Sequence, residues 1–222
     1  MFAAAGIASH SQASSEFANT DPLVLPVAQI GAPMLYNRNS EIFGEGEDAE
    51  YLYQVVSGAV RTYKILSDGR RQIGAFYLPG DIFGLEIGTA HQLSAEAICN
   101  ATVSAIKRSS LSDLARDDIK ITHALLALTA RELQRAQKHV LLLVRNAQER
   151  VASFLLEMVD RTAGAGSIDL PMSRQDIADY LGLTIETVSR TLTLLEDQAA
   201  IALTSARRVK LTNMRELRKL DS

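Results

Sequence analysis

The hydrophobic period of this chain changes once, near residue 108, and that change limits what the chain can fold into. From about residue 34 the sequence, including "EYLYQVVSGAVRTYKILSDGRRQIGAFYLPGDIFGLEI", alternates apolar and polar residues. Period-two alternation is the mark of strands with one face buried. Turn dipeptides cut it at Ser57-Gly58, Asp68-Gly69 and Pro79-Gly80. Asp-Gly between two alternating runs predicts a hairpin, because the turn needs a residue that tolerates positive φ. The run "SAEAICNATVSAIKR" adds one or two strands, with Cys99 expected on a strand as a small buried hydrophobe. Short strands at this spacing predict a small antiparallel barrel or sandwich ending near residue 108.

Beyond that point the period becomes helical. "SSLSDLARDD" opens like a helix, with Ser110 as a possible cap and Asp113 three residues later. Residues 118–145 contain neither Gly nor Pro, and Leu126, Leu133, Val140 and Ala147 recur every seven residues. Leu125, Leu128 and Leu142 lie on another side. A helix apolar on more than one face needs two partners. One is its own barrel. The other is the same helix of a second subunit in a coiled-coil seam, or else the rest of a larger monomeric core. On the first alternative, Leu126, Leu133 and Val140 are candidate dimer contacts. "NAQERVASFLLEMVDRTAG" predicts a further helix stopped by Gly164 and Gly166. Residues 1–30, small and polar, suit a mobile arm or a short packed extension.

The last 60 or so residues read helix, helix, short hairpin. Ser173 caps "RQDIADYLG", with Asp176 at the position of a capping-box acid. Gly182 is placed to end that helix in a left-handed turn, and Thr184 caps the next, "IETVSRTLTLLE". Two short helices joined by a Gly-containing turn make a helix-turn-helix. Val188, Leu192 and Leu195 fall on the inner face of the second helix. Ile185, Glu186, Ser189 and Arg190 then point outward near its N-terminus, where a recognition helix meets base edges. Arg190 can donate two hydrogen bonds to guanine, Glu186 can accept one from a cytosine amine, Ser189 can meet several bases, and Ile185 can touch a thymine methyl. The alternative is an ordinary αα-hairpin surface with Glu186 and Arg190 as an i,i+4 ion pair. "IALTSARRVKLTN" reads as two strands around a turn holding Arg207 and Arg208, a wing whose tip would meet phosphate or simply stand in solvent. Arg174 and the cap residues Ser173 and Thr184 are further candidate phosphate contacts, beside the free amides of helix starts.

Composition narrows the function classes. The net charge is −3, so no global basic field advertises nucleic acid and the case rests on local features. The single cysteine excludes an intrachain disulfide or a cysteine metal cluster. Four histidines, His10, His91, His123 and His139, lack ligand spacing, so no metal site and no cofactor are expected. No nucleophile–base pair or phosphate loop appears, and "FYLPGDIFG" is not a dinucleotide fingerprint, so an enzyme is not expected. No apolar run spans a bilayer and the N-terminal stretch lacks the basic front of a secretion signal, so a cytoplasmic, membrane-free protein is expected.

The stretch "SRQDIADYLGLTIETVSRTLTLLE" resembles the helix-turn-helix of the Crp/Fnr superfamily of bacterial transcription regulators, and its E-T-V-S-R core is especially similar to the Fnr and FixK branch. The resemblance runs from about residue 35 to 215. It implies an α+β chain: an N-terminal β-roll of the cyclic-nucleotide-binding type over residues 31–117, a dimerisation helix over 118–146, and a C-terminal winged helix-turn-helix over 147–222, after an arm of residues 1–30. It implies a homodimer on double-stranded DNA, reading a TTGAT-N4-ATCAA-type palindrome through Glu186, Ser189 and Arg190. It also implies contact with RNA polymerase through loops such as "LSDGRRQ".

Two signals known in the superfamily find no residues here. Cyclic nucleotide needs a cation for its phosphate, yet residues 72–106 contain no Lys or Arg, and Leu93-Ser94 stands where the binders carry Arg-Ser or Arg-Thr. An oxygen-sensing iron–sulfur cluster needs several thiolates, and only Cys99 is present. The combination resembles FixK-type members, which implies an activator of genes for microoxic respiration or nitrogen fixation. A β-roll that binds haem or an unidentified small molecule is the rival expectation.

Overall fold

In the computed structural model, residues 31–162 and 166–221 are described. The expected arm lies outside them. The alternating region forms β1 (Ala32–Tyr36), β2 (Glu41–Phe43), β3 (Tyr51–Ser57), β4 (Val60–Ile65), β5 (Arg71–Tyr77), β6 (Ile82–Phe83), β7 (Ser94–Ala97) and β8 (Ala101–Lys107). They build two four-stranded antiparallel sheets, β1-β8-β3-β6 and β2-β7-β4-β5. Phe43, Tyr53, Val55, Val60, Tyr77, Phe83, Ala95 and Val103 fill the space between them, with Tyr36 of β1 packed against their edge. This is the expected roll. The expected hairpin is β4–β5. Gly69 N–H donates to Leu66 O at 2.9 Å, and Gly69 sits at φ +83, the left-handed position that its missing side chain allows.

Cys99 departs from expectation. It is half-buried in the turn between β7 and β8 and not on a strand. Ser110 is likewise no cap, because the helix starts two residues earlier.

The helices are α1 (Arg108–Asp117), α2 (Ile119–Leu142), α3 (Ala147–Thr162), α4 (Arg174–Leu181), α5 (Ile185–Asp197) and α6 (Met214–Leu220). The long helix α2 is capped by Asp118, whose side chain accepts from Lys120 N–H at 2.8 Å. It ends before Ala147, which opens α3. Its Ala124 and Leu128 pack with Leu52, Ile82, Ile106 and Leu111 on the outer face of the first sheet. Both faces of β3 are therefore covered, and its burial does not alternate. The opposite face of α2 has no cover among the described residues: Leu126 is 69%, Leu133 59% and Val140 63% exposed.

Asp81 ties the roll to two helices. Its carboxylate accepts from Arg135 of α2 at 2.8 Å, from Arg161 of α3 at 2.6 Å and from Leu78 N–H at 2.7 Å. Burial pushes this carboxyl up, but Arg161 and Arg135 outweigh it and hold it below the usual carboxylate range. The C-terminal part adds a three-stranded sheet, β10-β11-β9, from β9 (Ser167–Asp169), β10 (Ile201–Leu203) and β11 (Arg208–Leu211). β9 and α6 are additions to the helix–helix–hairpin reading. The core of this part is continuous with the roll: Phe76 of β5 meets Phe154 of α3 at 6.2 Å and Tyr180 of α4 at 5.1 Å between ring centroids.

Candidate nucleic-acid interface

The helix pair is built by its caps. Ser173 Oγ accepts from Asp176 N–H at 3.1 Å, and the Asp176 carboxylate accepts from Ser173 N–H at 2.9 Å. This reciprocal capping box fixes where α4 begins. Gly182 ends α4 at φ 62, ψ 39, in the left-handed region. Thr184 then opens α5, its Oγ1 accepting from Thr187 N–H at 3.2 Å. Three expectations about local structure are thus met by the geometry: cap, left-handed stop, cap.

The facing of α5 follows from its apolar residues. Val188 and Leu195 are fully buried and Leu192 nearly so. With those turned inward, Ile185, Glu186 and Arg190 are exposed and Ser189 is half-buried, all within the first two turns. Glu186 and Arg190 form no ion pair with each other among the described residues. Their charges therefore remain available to an outside partner. The structure brings these four residues onto one surface.

The candidate phosphate contacts are less uniform. Arg174 is half-buried at the first position of α4. Ser173 and Thr184 already spend their oxygens as caps, although each still lies at a helix start where backbone amides face outward. The wing turn is closed by Thr204 N–H donating to Arg208 O at 3.0 Å. Arg207 is exposed and reaches Pro171 O at 3.3 Å. Arg208 is pulled back onto β9: it donates to both carboxylate oxygens of Asp169, at 2.7 and 2.9 Å. That bond with Arg208 lowers the Asp169 pKa. The sequence placed Arg207 and Arg208 together, but the structure separates them by partner. Nothing in the linear pattern could show this, because β9 lies 39 residues away from Arg208.

Asp176 has a second role that sequence reasoning missed. Beyond capping α4, its Oδ1 accepts from Arg61 Nη1 at 2.8 Å and from Arg71 Nη2 at 2.6 Å, both from the roll. Burial pushes its carboxyl up, but the Ser173 hydrogen bonds and the two guanidinium groups prevail and lower its pKa.

No grouping of three or more His, Cys, Asp or Glu suited to a metal occurs among the described residues. No described helix is long and apolar enough to cross a membrane.

Comparison with known proteins agrees with this architecture in both halves. Residues 33–118 match the cyclic nucleotide-binding domain, and residues 149–220 match the Crp-like helix-turn-helix domain. The chain is 54% identical over 202 residues to the nitrogen fixation regulation protein FixK of Azorhizobium caulinodans, covering 88% of this chain and 82% of that protein. It is 43% identical over 212 residues to the FixK of Rhizobium meliloti, covering 91% and 97%. The solved structure of FixK2 from Bradyrhizobium japonicum matches with a TM-score of 0.84 and 55% identity, over 87% of this chain and 98% of that one. A capped helix pair, a wing, a roll and these relatives together place the chain in the Crp/Fnr family of transcription regulators, in its FixK-type branch, as a DNA-binding regulator and not an enzyme.

Proposed function

We propose that this regulator acts as a homodimeric activator that reads a TTGAT-N4-ATCAA-type palindrome, in the cytoplasm and together with RNA polymerase. The observation that carries the reading is the N-terminal face of α5, where Ile185, Glu186, Ser189 and Arg190 stand together above a buried Val188–Leu192–Leu195 stripe. Arg190 and Glu186 have the donor and acceptor chemistry for a G·C pair, and Ile185 the apolar surface for thymine. Arg207, Arg174 and the helix starts capped by Ser173 and Thr184 would hold the backbone, with Arg208 joining only when phosphate displaces Asp169. The exposed Leu126–Leu133–Val140 stripe would be covered by the same stripe of a second copy, which sets two recognition helices about 34 Å apart on successive turns of the duplex.

Relatives named for nitrogen fixation regulation support target genes of that class; genes for microoxic respiration are the other half of the proposal. The sequence of the roll argues against a cyclic phosphate there. Residues 72–106 lack Lys and Arg, and Leu93 lines the groove beside Thr62 and Gly74. Arg61 of β4 is committed to Glu96 and Asp176. One cysteine cannot hold an iron–sulfur cluster. The reading is therefore of a regulator that needs neither ligand and is governed mainly by its abundance.

Titrating purified, ligand-free protein in air against the palindrome and a scrambled duplex, at two salt concentrations, tests this. Tight binding to the palindrome alone, weakening steeply with salt, is the expected result. Equal affinity for both duplexes would instead point to an effector missing from the roll.

A further inference from the structure

Five charged side chains join the roll to α4, the first helix of the helix-turn-helix pair. Arg61 of β4 donates to Glu96 at 2.9 Å and to Asp176 at 2.8 Å. Arg71, at the start of β5, donates to Asp176 at 2.6 Å and to Asp179 at 2.8 Å. Arg61 and Asp176 are buried, at 6% and 4% exposure. Two further contacts lie beside the cluster. Gln72 Nε2 donates to Tyr180 O at 3.4 Å, and the Tyr180 ring lies tilted against His139 of α2, 4.2 Å between centroids. One side of α4 is thus gripped by the roll and the long helix, while its other side packs against α5.

This grip completes a rigid path. The roll is fixed on α2 by the Leu52–Leu128 cluster and by Asp81–Arg135. The ion cluster fixes α4 on the roll. The capping box and Gly182 fix α5 on α4. Apolar contacts around Phe76 and Tyr180 also hold α4 to the roll, but such contacts resist separation without dictating orientation. Charge-assisted bonds from a planar guanidinium dictate it.

We infer that the Arg61–Arg71–Asp176–Asp179 cluster is a positioning device: it sets the orientation of the recognition helix relative to the dimer axis, and so the half-site spacing that the regulator accepts. The inference rests on the DNA-reading function proposed above and adds the residues that enforce its geometry. None of the four is a base reader.

The test uses the full chain. Arg71→Gln and Asp179→Asn are the variants of choice, because they leave the buried Arg61–Asp176 pair and the capping box in place. Arg71→Lys serves as the conservative control. Each protein is titrated against palindromes with spacers of three, four and five base pairs, and against a single half-site.

The expected result has three parts. Affinity for the single half-site is unchanged. The preference for the four-base-pair spacer over the other two falls by about fivefold or more, the size of a typical site-to-site coupling. Arg71→Lys restores part of it. A role in stability alone would instead weaken all four duplexes equally, and that result overturns the inference. So does an unchanged spacer preference with unchanged affinities. Tighter binding by the variants also overturns it, since the cluster would then be restraining the helix from DNA. Failure of the wild type to distinguish any palindrome from a scrambled duplex would refute the DNA reading itself, and this inference with it.

Discussion

On the proposed dimer, replacing Leu133 with glutamate should yield a monomer without unfolding the chain. Leu133 lies on the stripe of α2 that faces away from the roll and is 59% exposed in one chain. Fully burying a leucine is worth about 1.5–3 kcal/mol, so covering the exposed part gives roughly 1–2 kcal/mol per protomer and roughly 2–4 kcal/mol per dimer. That corresponds to a dimer dissociation constant raised by about 30- to 1,000-fold, before the repulsion of two glutamates facing across the seam is added. Leu128→Ala is the contrasting control. Leu128 is 6% exposed and packs on Leu52 and Ile106, so its truncation should cost about 2–5 kcal/mol of fold stability and leave the seam in place. Light scattering across a concentration series reads the oligomer, and circular dichroism reads the fold. Palindrome affinity should fall for Leu133→Glu while single half-site affinity stays. A Leu133→Glu protein that remains dimeric over the same concentrations as the wild type would refute the seam, and α2 would have to be covered by something other than a second copy.

Other outcomes follow from the same geometry. Gly182→Ala meets no hard contact, the nearest atoms being Leu143 Cδ2 at 3.5 Å and Arg150 Nη1 at 3.6 Å. Its cost is that of a left-handed backbone, about 1–2 kcal/mol by urea unfolding, and a neutral result would contradict the stop assigned to that residue. Arg207→Ala should weaken palindrome and scrambled duplex alike and reduce the salt slope by about one, with a smaller effect from Arg208→Ala because Asp169 already engages that side chain. Burial lowers the pKa of His139, which packs against the Tyr180 ring and whose Nδ1 has no partner among the described residues. The unfolded chain therefore binds this proton first, so stability is full above the ordinary histidine range and declines as pH falls through it. Melting temperatures measured between pH 7.5 and 5.5 should fall less steeply for His139→Gln than for the wild type; parallel curves would show that His139 is not a source of the decline.

Local structure was legible wherever one residue type answers one backbone need. The capping box at Ser173 and Asp176, the left-handed Gly182 and the Thr184 cap each lie within a few residues of their partners. The inner stripe of α5 and the two-faced character of α2 followed from periodicity for the same reason. What escaped sequence reading depends on partners far along the chain. β9 has only three residues, too few to show alternation, and gains its identity by pairing with β11. Cys99 reads as a strand residue because the apolar-rich run around it is long enough for one or two strands, but the turn from β7 to β8 falls there. Arg61 sits in the alternating pattern of β4 like any polar position. Its commitment to Asp176, 115 residues away, is a product of the fold.

The most direct test of the central claim, that the N-terminal face of α5 reads base edges, is the affinity of Arg190→Ala and Glu186→Ala across palindromes substituted one base pair at a time. Each variant should lose discrimination at one position per half-site, by roughly 1–3 kcal/mol, and keep the wild-type ranking at every other position. Uniform weakening across all duplexes, with the base preferences intact, would contradict the account.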